Sequence, residues 1–95
     1  MTIKEMNARI LEHYGAPNQF DKLCEELLEF VEAIGMVKSG SIRATDYRFL
    51  EEVADVKNMI QQIEISLPIE FHEDITLIQY AKADRQIGRI ADENA

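Results

Sequence analysis

The chain has 95 residues, with 10 basic and 18 acidic side chains and a net charge of −8. This length supports one domain, which we expect to span residues 1–95. A chain this short buries only about 60–65% of the surface that it exposes when unfolded, so we expect a second chain to complete the core. The acidic excess argues against nucleic acid or an anionic membrane surface as the main partner, and no apolar run reaches the ~18–20 residues that cross a bilayer.

The first helix is predicted by its N-terminal pattern. Thr2 and Glu5 have the spacing of a capping box, and apolar residues then recur at helical spacing as far as Tyr14. Residues 15–18 contain Gly and Pro and predict a loop. Asn18, at the end of this loop, is a candidate N-cap for the next helix.

The second helix is predicted from about Gln19 to about Val37. Its apolar row has gaps of three and four and consists of Phe20, Leu23, Leu27, Phe30, Ile34 and Val37. Residues 38–43 contain Ser and Gly and predict a loop. Cys24 is the only cysteine, which excludes a disulfide framework and a cysteine zinc site and favours a reducing, cytoplasmic location. We expect Cys24 to be buried.

Two more helices are predicted in the second half of the chain. Thr45 or Asp46 can cap the third, and Pro68 closes it or opens the fourth. The apolar row of the third helix is Phe49, Val53, Val56, Ile60, Ile63 and Leu67, and that of the fourth begins with Phe71, Ile75 and Ile78. The sequence therefore predicts an all-α fold, with the two central helices forming an antiparallel hairpin.

Each central helix carries two acidic residues three positions apart, Glu26/Glu29 and Glu52/Asp55. The spacing alone is uninformative, because roughly three such pairs are expected by chance in a chain this acidic, and four occur. The position of these pairs is informative. Apolar residues lie one turn away from Glu26 and from Glu52 on both sides, and an uncompensated charge inside an apolar face is costly.

Two interpretations of these carboxylates are open. They could form a solvated face with ion pairs from Lys22 to Glu26 and from Arg48 to Glu52 and Asp55. Alternatively, four carboxylates from two helices could converge on a hard divalent cation such as Mg²⁺, which takes oxygen ligands and is often completed by substrate phosphates.

The segments Lys22–Glu29 and Glu51–Val56 together resemble the EExxE…ExxD signature of the all-α nucleoside triphosphate pyrophosphohydrolases, the MazG-like family. The resemblance extends from about Phe20 to Ile63, with a weaker similarity at residues 82–85. It implies a four-helix MazG-like core that is completed by oligomerisation into a homodimer or homotetramer. It also implies Mg²⁺-dependent hydrolysis of a (deoxy)nucleoside triphosphate to the monophosphate and pyrophosphate, with Mn²⁺ as a possible substitute.

The resemblance also implies roles for individual residues. The metal ligands would be Glu26, Glu29, Glu52 and Asp55, and Glu29 is our candidate for the residue that orients or deprotonates the attacking water. Glu25 matches the motif but has a poorer position for a ligand, so we assign it only a possible substrate contact.

Three residues outside the motif are further candidates. Lys82 and Arg85 share a face of the fourth helix with Arg89 and could bind substrate phosphates, or they could form a solvated basic face. Asn58 lies one turn beyond Asp55 and could contact substrate or bridge two helices.

Other functions are compatible with the same pattern. A phosphoribosyl-ATP pyrophosphohydrolase shares the helices of this superfamily, but residues 55–59 lack the Tyr-His that usually follows the aspartate in that family. A non-catalytic module could dock its acidic face on a basic partner. A structural dimer could use buried carboxylates for pairing specificity.

Overall fold

The computed structural model describes residues 1–95 and contains four helices and no strand, with 83% of the residues helical. The all-α prediction is confirmed. The helices are α1 (Ile3–Tyr14), α2 (Ala16–Lys38), α3 (Tyr47–Ser66) and α4 (Glu70–Glu93). None of them combines the length and the hydropathy that a membrane crossing requires.

The predicted capping box at the start of α1 is confirmed. The Glu5 amide donates to Thr2 Oγ1 over 3.0 Å, and the Thr2 amide donates to Glu5 Oε1 over 3.3 Å. A single residue, Gly15, separates α1 from α2, so the predicted loop at residues 15–18 is wrong. Helix α2 begins at Ala16 because Pro17 fits the first turn of a helix, where its missing N–H removes no hydrogen bond. Asn18 is therefore not an N-cap; its Nδ2 donates to the carbonyl of Tyr14 over 2.7 Å.

The central helices α2 and α3 form the predicted antiparallel hairpin. Near one end of the hairpin Gln19 Nε2 donates to Gln62 Oε1 over 2.6 Å. Further along, the rings of Phe30 and Phe49 lie 5.8 Å apart between centroids. Early residues of α2 thus face late residues of α3. Asp46 occupies the N-cap position of α3, but its carboxylate binds the backbone amide and the guanidinium of Arg43 and caps no α3 amide.

The centre of the molecule is unusually polar. Only six residues are buried, and four of them are Asn7, Gln19, Glu26 and Gln62. Asn7 of α1 donates to Asn58 Oδ1 over 3.2 Å and to Gln61 Oε1 over 2.6 Å, and it accepts from Gln62 Nε2 over 3.0 Å. An amide network therefore joins α1 to the central hairpin. Because hydrogen bonds are directional, this network fixes the position of α1 relative to α2 and α3.

The predicted apolar row of α2 combines two different faces of the helix. The face towards α3 consists of Gln19, Leu23, Glu26, Phe30, Ala33 and Val37, which are buried or half-buried. Phe20, Leu27 and Ile34 are exposed, because each lies about 60–100° around the helix from this face. Cys24 is also exposed, so the expectation that it is buried is wrong.

Helix α4 stands apart from the other three helices. Its chain direction changes at Leu67 and Pro68, where the backbone of Leu67 is extended. No residue of α4 is buried, and α4 packs far less extensively on the other helices than α1, α2 and α3 pack on one another. The packed body of one chain is therefore a three-helix unit, from which α4 projects.

Candidate metal centre

Three of the four predicted ligands meet between the central helices. Glu26 comes from α2, and Glu52 and Asp55 come from α3. One carboxylate oxygen of each lies within 4.8 Å of the corresponding oxygen of the other two. The antiparallel pairing produces this arrangement, because it places the middle of α2 beside the first half of α3. Glu52 and Asp55 are three residues apart and so point from the same side of their helix.

Two of these carboxylates are incompletely satisfied. Glu26 is buried and Glu52 is half-buried, and the Oε2 atom of each is buried without a hydrogen-bond partner. A buried carboxylate oxygen without a partner is costly, and such groups usually bind a proton, a donor or a metal ion. The donor set therefore fits a hard cation, since carboxylate oxygens are the ligands that Mg²⁺ and Mn²⁺ prefer.

The electrostatics of the site favour protonation. Burial is the largest cause that raises the pKa of Glu52, and the charges of Asp55 and Glu26 add to it. Burial also raises the pKa of Asp55, with a further contribution from Glu26. The acidic groups thus destabilise one another when all are ionised, and a bound cation would relieve this repulsion.

Lys22 is the only basic side chain that forms an ion pair with the cluster. Its Nζ lies 3.3 Å from Glu26 Oε1 and 3.5 Å from Glu25 Oε2. The predicted pair between Lys22 and Glu26 is confirmed. The predicted pairs of Arg48 are wrong, because the side chain of Arg48 lies within ion-pair distance of neither Glu52 nor Asp55. A single half-exposed lysine leaves the cluster with an excess of negative charge.

Glu29 lies at the edge of the cluster. It is exposed and is not among the three residues whose oxygens lie within 4.8 Å of one another. The charge of Glu26 is the largest cause that raises the pKa of Glu29, followed by partial burial and the charge of Glu52. Glu29 is therefore close enough for the charges of the cluster to affect its pKa, and its side chain remains accessible to water. Glu25 is exposed and pairs with Lys22.

The other predicted site residues lie further away. Lys82 and Arg85 are exposed on α4, form no ion pair, and are not brought to the acidic cluster within one chain. Asn58 accepts a hydrogen bond from Asn7 and so bridges α1 and α3. A contact of these three residues with substrate stays a prediction.

A cleft of about 580 Å³ opens beside the cluster, between α1, α2 and α3. Lys22 and Glu25 line this cleft, and Lys22 pairs with Glu26; Tyr14 of α1 also lines it. Its remaining lining residues are Ile10, Asn18, Gln19, Asp21, Met59 and Gln62. A second groove of about 640 Å³ lies along α1 and α3. Neither space is lined by a clustered carboxylate, but the cleft is lined by Lys22, which is the ion-pair partner of Glu26.

The amides that line the cleft were not predicted from the sequence. Gln19 and Gln62 lie on the faces of α2 and α3 that meet in the hairpin. An amide at a position that repeats with the buried face is the sequence pattern that could have identified them. The apolar rows instead predicted that Phe20 and Ile63 lie at these faces.

The chain has no significant match among known protein families, curated proteins or solved structures.

Proposed function

We propose that the protein is a Mg²⁺-dependent hydrolase that converts a (deoxy)nucleoside triphosphate to the monophosphate and pyrophosphate. The observation that carries this proposal is the convergence of Glu26, Glu52 and Asp55 with two buried, unpartnered carboxylate oxygens. The resemblance of residues 20–63 to the MazG-like signature supports it, because the clustered residues are three of the four that the signature assigns to metal.

The proposed metal ligands are Glu26, Glu52 and Asp55, with Glu29 as a fourth that could bind directly or through water. Bound Mg²⁺ would lower the pKa of a coordinated water and neutralise charge on the phosphates. Three clustered carboxylates leave room for water and phosphate oxygens in the octahedral shell that this ion requires.

Glu29 is the proposed general base. It is exposed, so a water molecule can reach its carboxylate. It lies beside the cluster without being one of the three residues whose oxygens converge, so its carboxylate could accept a proton from a water held at the cation. The clustered ligands lack this freedom, since their oxygens would be committed to the cation.

The cleft beside the cluster is the proposed nucleoside site. Tyr14 offers an exposed ring on its wall for stacking against a base, and Lys22 lies between the cleft and Glu26. A triphosphate that extends from the cleft to the cluster would pass Lys22, which could leave its pair with Glu25 and bind a phosphate. Phe49 is a weaker stacking candidate because its ring packs on Phe30.

The test is a screen for pyrophosphate release from the common and damaged nucleoside triphosphates, with ³¹P NMR to distinguish pyrophosphate from orthophosphate. We expect Mg²⁺-dependent release from at least one of them, and its loss in Glu52→Gln. Glu51→Gln is the matched control, because Glu51 is the exposed neighbour of Glu52 on the same helix. Full activity in excess chelator, or no release with Mg²⁺ or Mn²⁺, would refute the proposal.

The active form is proposed to be a homo-oligomer, either a dimer or a tetramer. The exposed apolar side chains of one chain support this assignment. They occur on all four helices and include Ile3, Leu28, Val31, Leu50 and Leu77.

A further inference from the structure

One chain exposes far more surface than a folded protein of its mass. Its accessible surface is 7492 Å², whereas a compact monomer of 10.9 kDa exposes about 5,600 Å². Its radius of gyration is 16.6 Å, against about 12 Å for a compact domain of this length. The excess of about 1,900 Å² exceeds the ~800 Å² that each partner buries in a standard interface and falls in the range of obligate dimers.

Part of this surface is a second apolar face on α2, which we call the outer stripe. It consists of Phe20, Cys24, Leu27, Val31 and Ile34, with gaps of four, three, four and three residues. All five are exposed, although α2 already packs its other face on α3. An apolar row with this spacing is the pattern of a helix that packs against another helix along its length.

Helix α4 carries a row of complementary character, which we call the docking row. Its first half is apolar (Phe71, Ile75, Ile78), and its second half is basic (Lys82, Arg85, Arg89). The gaps of four, three, four, three and four keep all six residues on one face. Helix α4 has 24 residues and α2 has 23, so each is about 35 Å long and one can cover the other from end to end.

Charge selects the antiparallel orientation of such a pair. An antiparallel α4 places Phe71 and Ile75 on Ile34 and Val31, at the strongly apolar end of the outer stripe. The basic half then reaches the first half of α2, where Asp21 flanks the stripe. A parallel α4 would instead place Lys82 and Arg85 over Val31 and Ile34, and Arg89 beside Lys38.

The antiparallel register also aligns the two rows residue by residue. Ile78 lies opposite Leu27, Lys82 opposite Cys24, and Arg85 opposite Phe20, where a guanidinium can stack on the ring. Pairing of two copies of α2 through the outer stripe is less favourable. It would bring the acidic flank of one copy beside the same flank of the other, because antiparallel pairing about a two-fold axis juxtaposes equivalent edges.

We propose that α4 of a second copy of this chain lies antiparallel on the outer stripe of α2. In the resulting symmetric dimer, α4 of each copy packs on α2 of the other. The projecting helix thus has a partner surface in the same sequence. The proposal does not rest on the proposed enzymatic function, because it uses no residue of the acidic cluster. It assigns Lys82 and Arg85, predicted above as phosphate-binding residues, to the interface instead.

The first test is the oligomeric state, measured by sedimentation equilibrium over a range of protein concentrations. We expect a dimer or a tetramer built from it, and we expect Val31→Asp or Ile78→Asp to weaken its association by about 30-fold or more. Both side chains are more than half exposed in one chain, so neither variant should disturb its fold, and circular dichroism checks this. Tyr80→Asp is the matched control, because Tyr80 is exposed on the opposite face of α4.

The second test is cross-linking with a short bismaleimide, which joins two thiols. Lys82→Cys places a thiol opposite Cys24, and we expect a covalent dimer on a denaturing gel. The controls are Lys82→Cys combined with Cys24→Ser, which removes the partner thiol, and Tyr80→Cys, which places a thiol on the far face. Neither control should cross-link efficiently.

Four outcomes would overturn the proposal. The first is a monomer at all concentrations. The second is a cross-link within one chain between Cys24 and the thiol introduced by Lys82→Cys, which would mean that α4 folds back on its own α2. The third is efficient cross-linking of wild type through two Cys24 residues, which would indicate pairing of α2 with α2. The fourth is an oligomer that Val31→Asp and Ile78→Asp leave intact, which would place the interface elsewhere.

Discussion

Glu26 of α2 and Glu52 of α3 face each other across the central hairpin, and each has one buried carboxylate oxygen that no donor satisfies. An ion pair with Lys22 occupies the other oxygen of Glu26, at 3.3 Å. Because Lys22 cannot neutralise Glu52 and Asp55 as well, the metal-free site contains a repulsion that removing one charge should relieve.

Replacing Glu52 with Gln should therefore separate stability from metal binding. In chelator, Glu52→Gln should unfold at the same temperature as wild type or at a higher one, since it removes a disfavoured charge. Wild type should be stabilised by Mg²⁺, by about 1.4 kcal/mol when the ion is at ten times its Kd, which corresponds to a Tm increase of about 6–11 °C. Glu52→Gln should lose most of this increase.

Differential scanning fluorimetry or calorimetry measures these shifts. Glu51→Gln removes an equal charge from an exposed position and should keep the full response to Mg²⁺. Monovalent salt at matched ionic strength controls for screening of the acidic surface. If this salt raised the Tm as much as Mg²⁺ does, the cluster would be only an acidic surface.

The pH dependence of stability without metal follows from the raised pKa values of Glu52 and Asp55. An acid whose pKa is higher in the folded state binds its proton more tightly there. Its contribution to stability is complete below the pKa of the unfolded chain, near 4.5 for Glu and 3.8 for Asp, and is lost as the pH rises through the folded pKa. In chelator, these groups should make the protein less stable as the pH rises above this range.

Urea unfolding at a series of pH values measures this dependence. The slope should be smaller in Glu52→Gln, which lacks one of the titrating groups. Saturating Mg²⁺ should reverse the trend, because metal binding requires the ionised carboxylates and strengthens as they lose protons. A wild-type slope identical to that of Glu52→Gln would contradict the assignment of this dependence to the cluster.

The amino-acid sequence predicts the acidic cluster better than it predicts the core. Glu26 and Glu52 have apolar neighbours one turn away on both sides, and this local signal depends only on the helical period. Their meeting required only that α2 and α3 pair antiparallel, which a short connecting loop favours. The periodicity and the loop were both visible in the sequence.

The sequence does not predict which face of α2 is buried against α3. Helix α2 has apolar residues on two faces, and the period of 3.6 residues does not say which face meets α3. The buried face contains Gln19 and Glu26, whereas the outer stripe contains Phe20 and Leu27. Hydrophobicity alone therefore favoured residues that one chain leaves exposed. The same ambiguity led to the wrong expectation for Cys24.

The amide network should make a large contribution to stability. Gln62→Leu leaves Gln19 Nε2 without its acceptor and Asn7 Oδ1 without its donor. Each unsatisfied buried polar group costs about 1–3 kcal/mol, so for the two groups we expect a loss of about 2–6 kcal/mol in the free energy of unfolding. Gln79→Leu, at an exposed position on α4, is the control and should change stability by less than about 0.5 kcal/mol.

Urea unfolding at one fixed protein concentration measures both variants, since association would couple stability to concentration. An additional Asn7→Leu substitution should cost less than its effect in the wild-type background, because part of the network is already lost in Gln62→Leu. Fully additive losses would mean that the three amides act separately.

Gly15 should be intolerant of any side chain. Its backbone has φ 84° and ψ 151°, a conformation that is essentially restricted to glycine, and it is the single residue between α1 and α2. An added Cβ meets no close neighbour, the nearest being Pro17 Cδ at 4.0 Å, so the cost of Gly15→Ala is backbone strain of about 1–3 kcal/mol.

Gly88→Ala is the contrasting control. Gly88 lies inside α4 with nothing near its missing Cβ, and alanine should stabilise that helix by about 1 kcal/mol. Urea unfolding and helical circular dichroism together distinguish the two effects, and a Gly15→Ala variant as stable as wild type would show that the junction between α1 and α2 relaxes to another conformation.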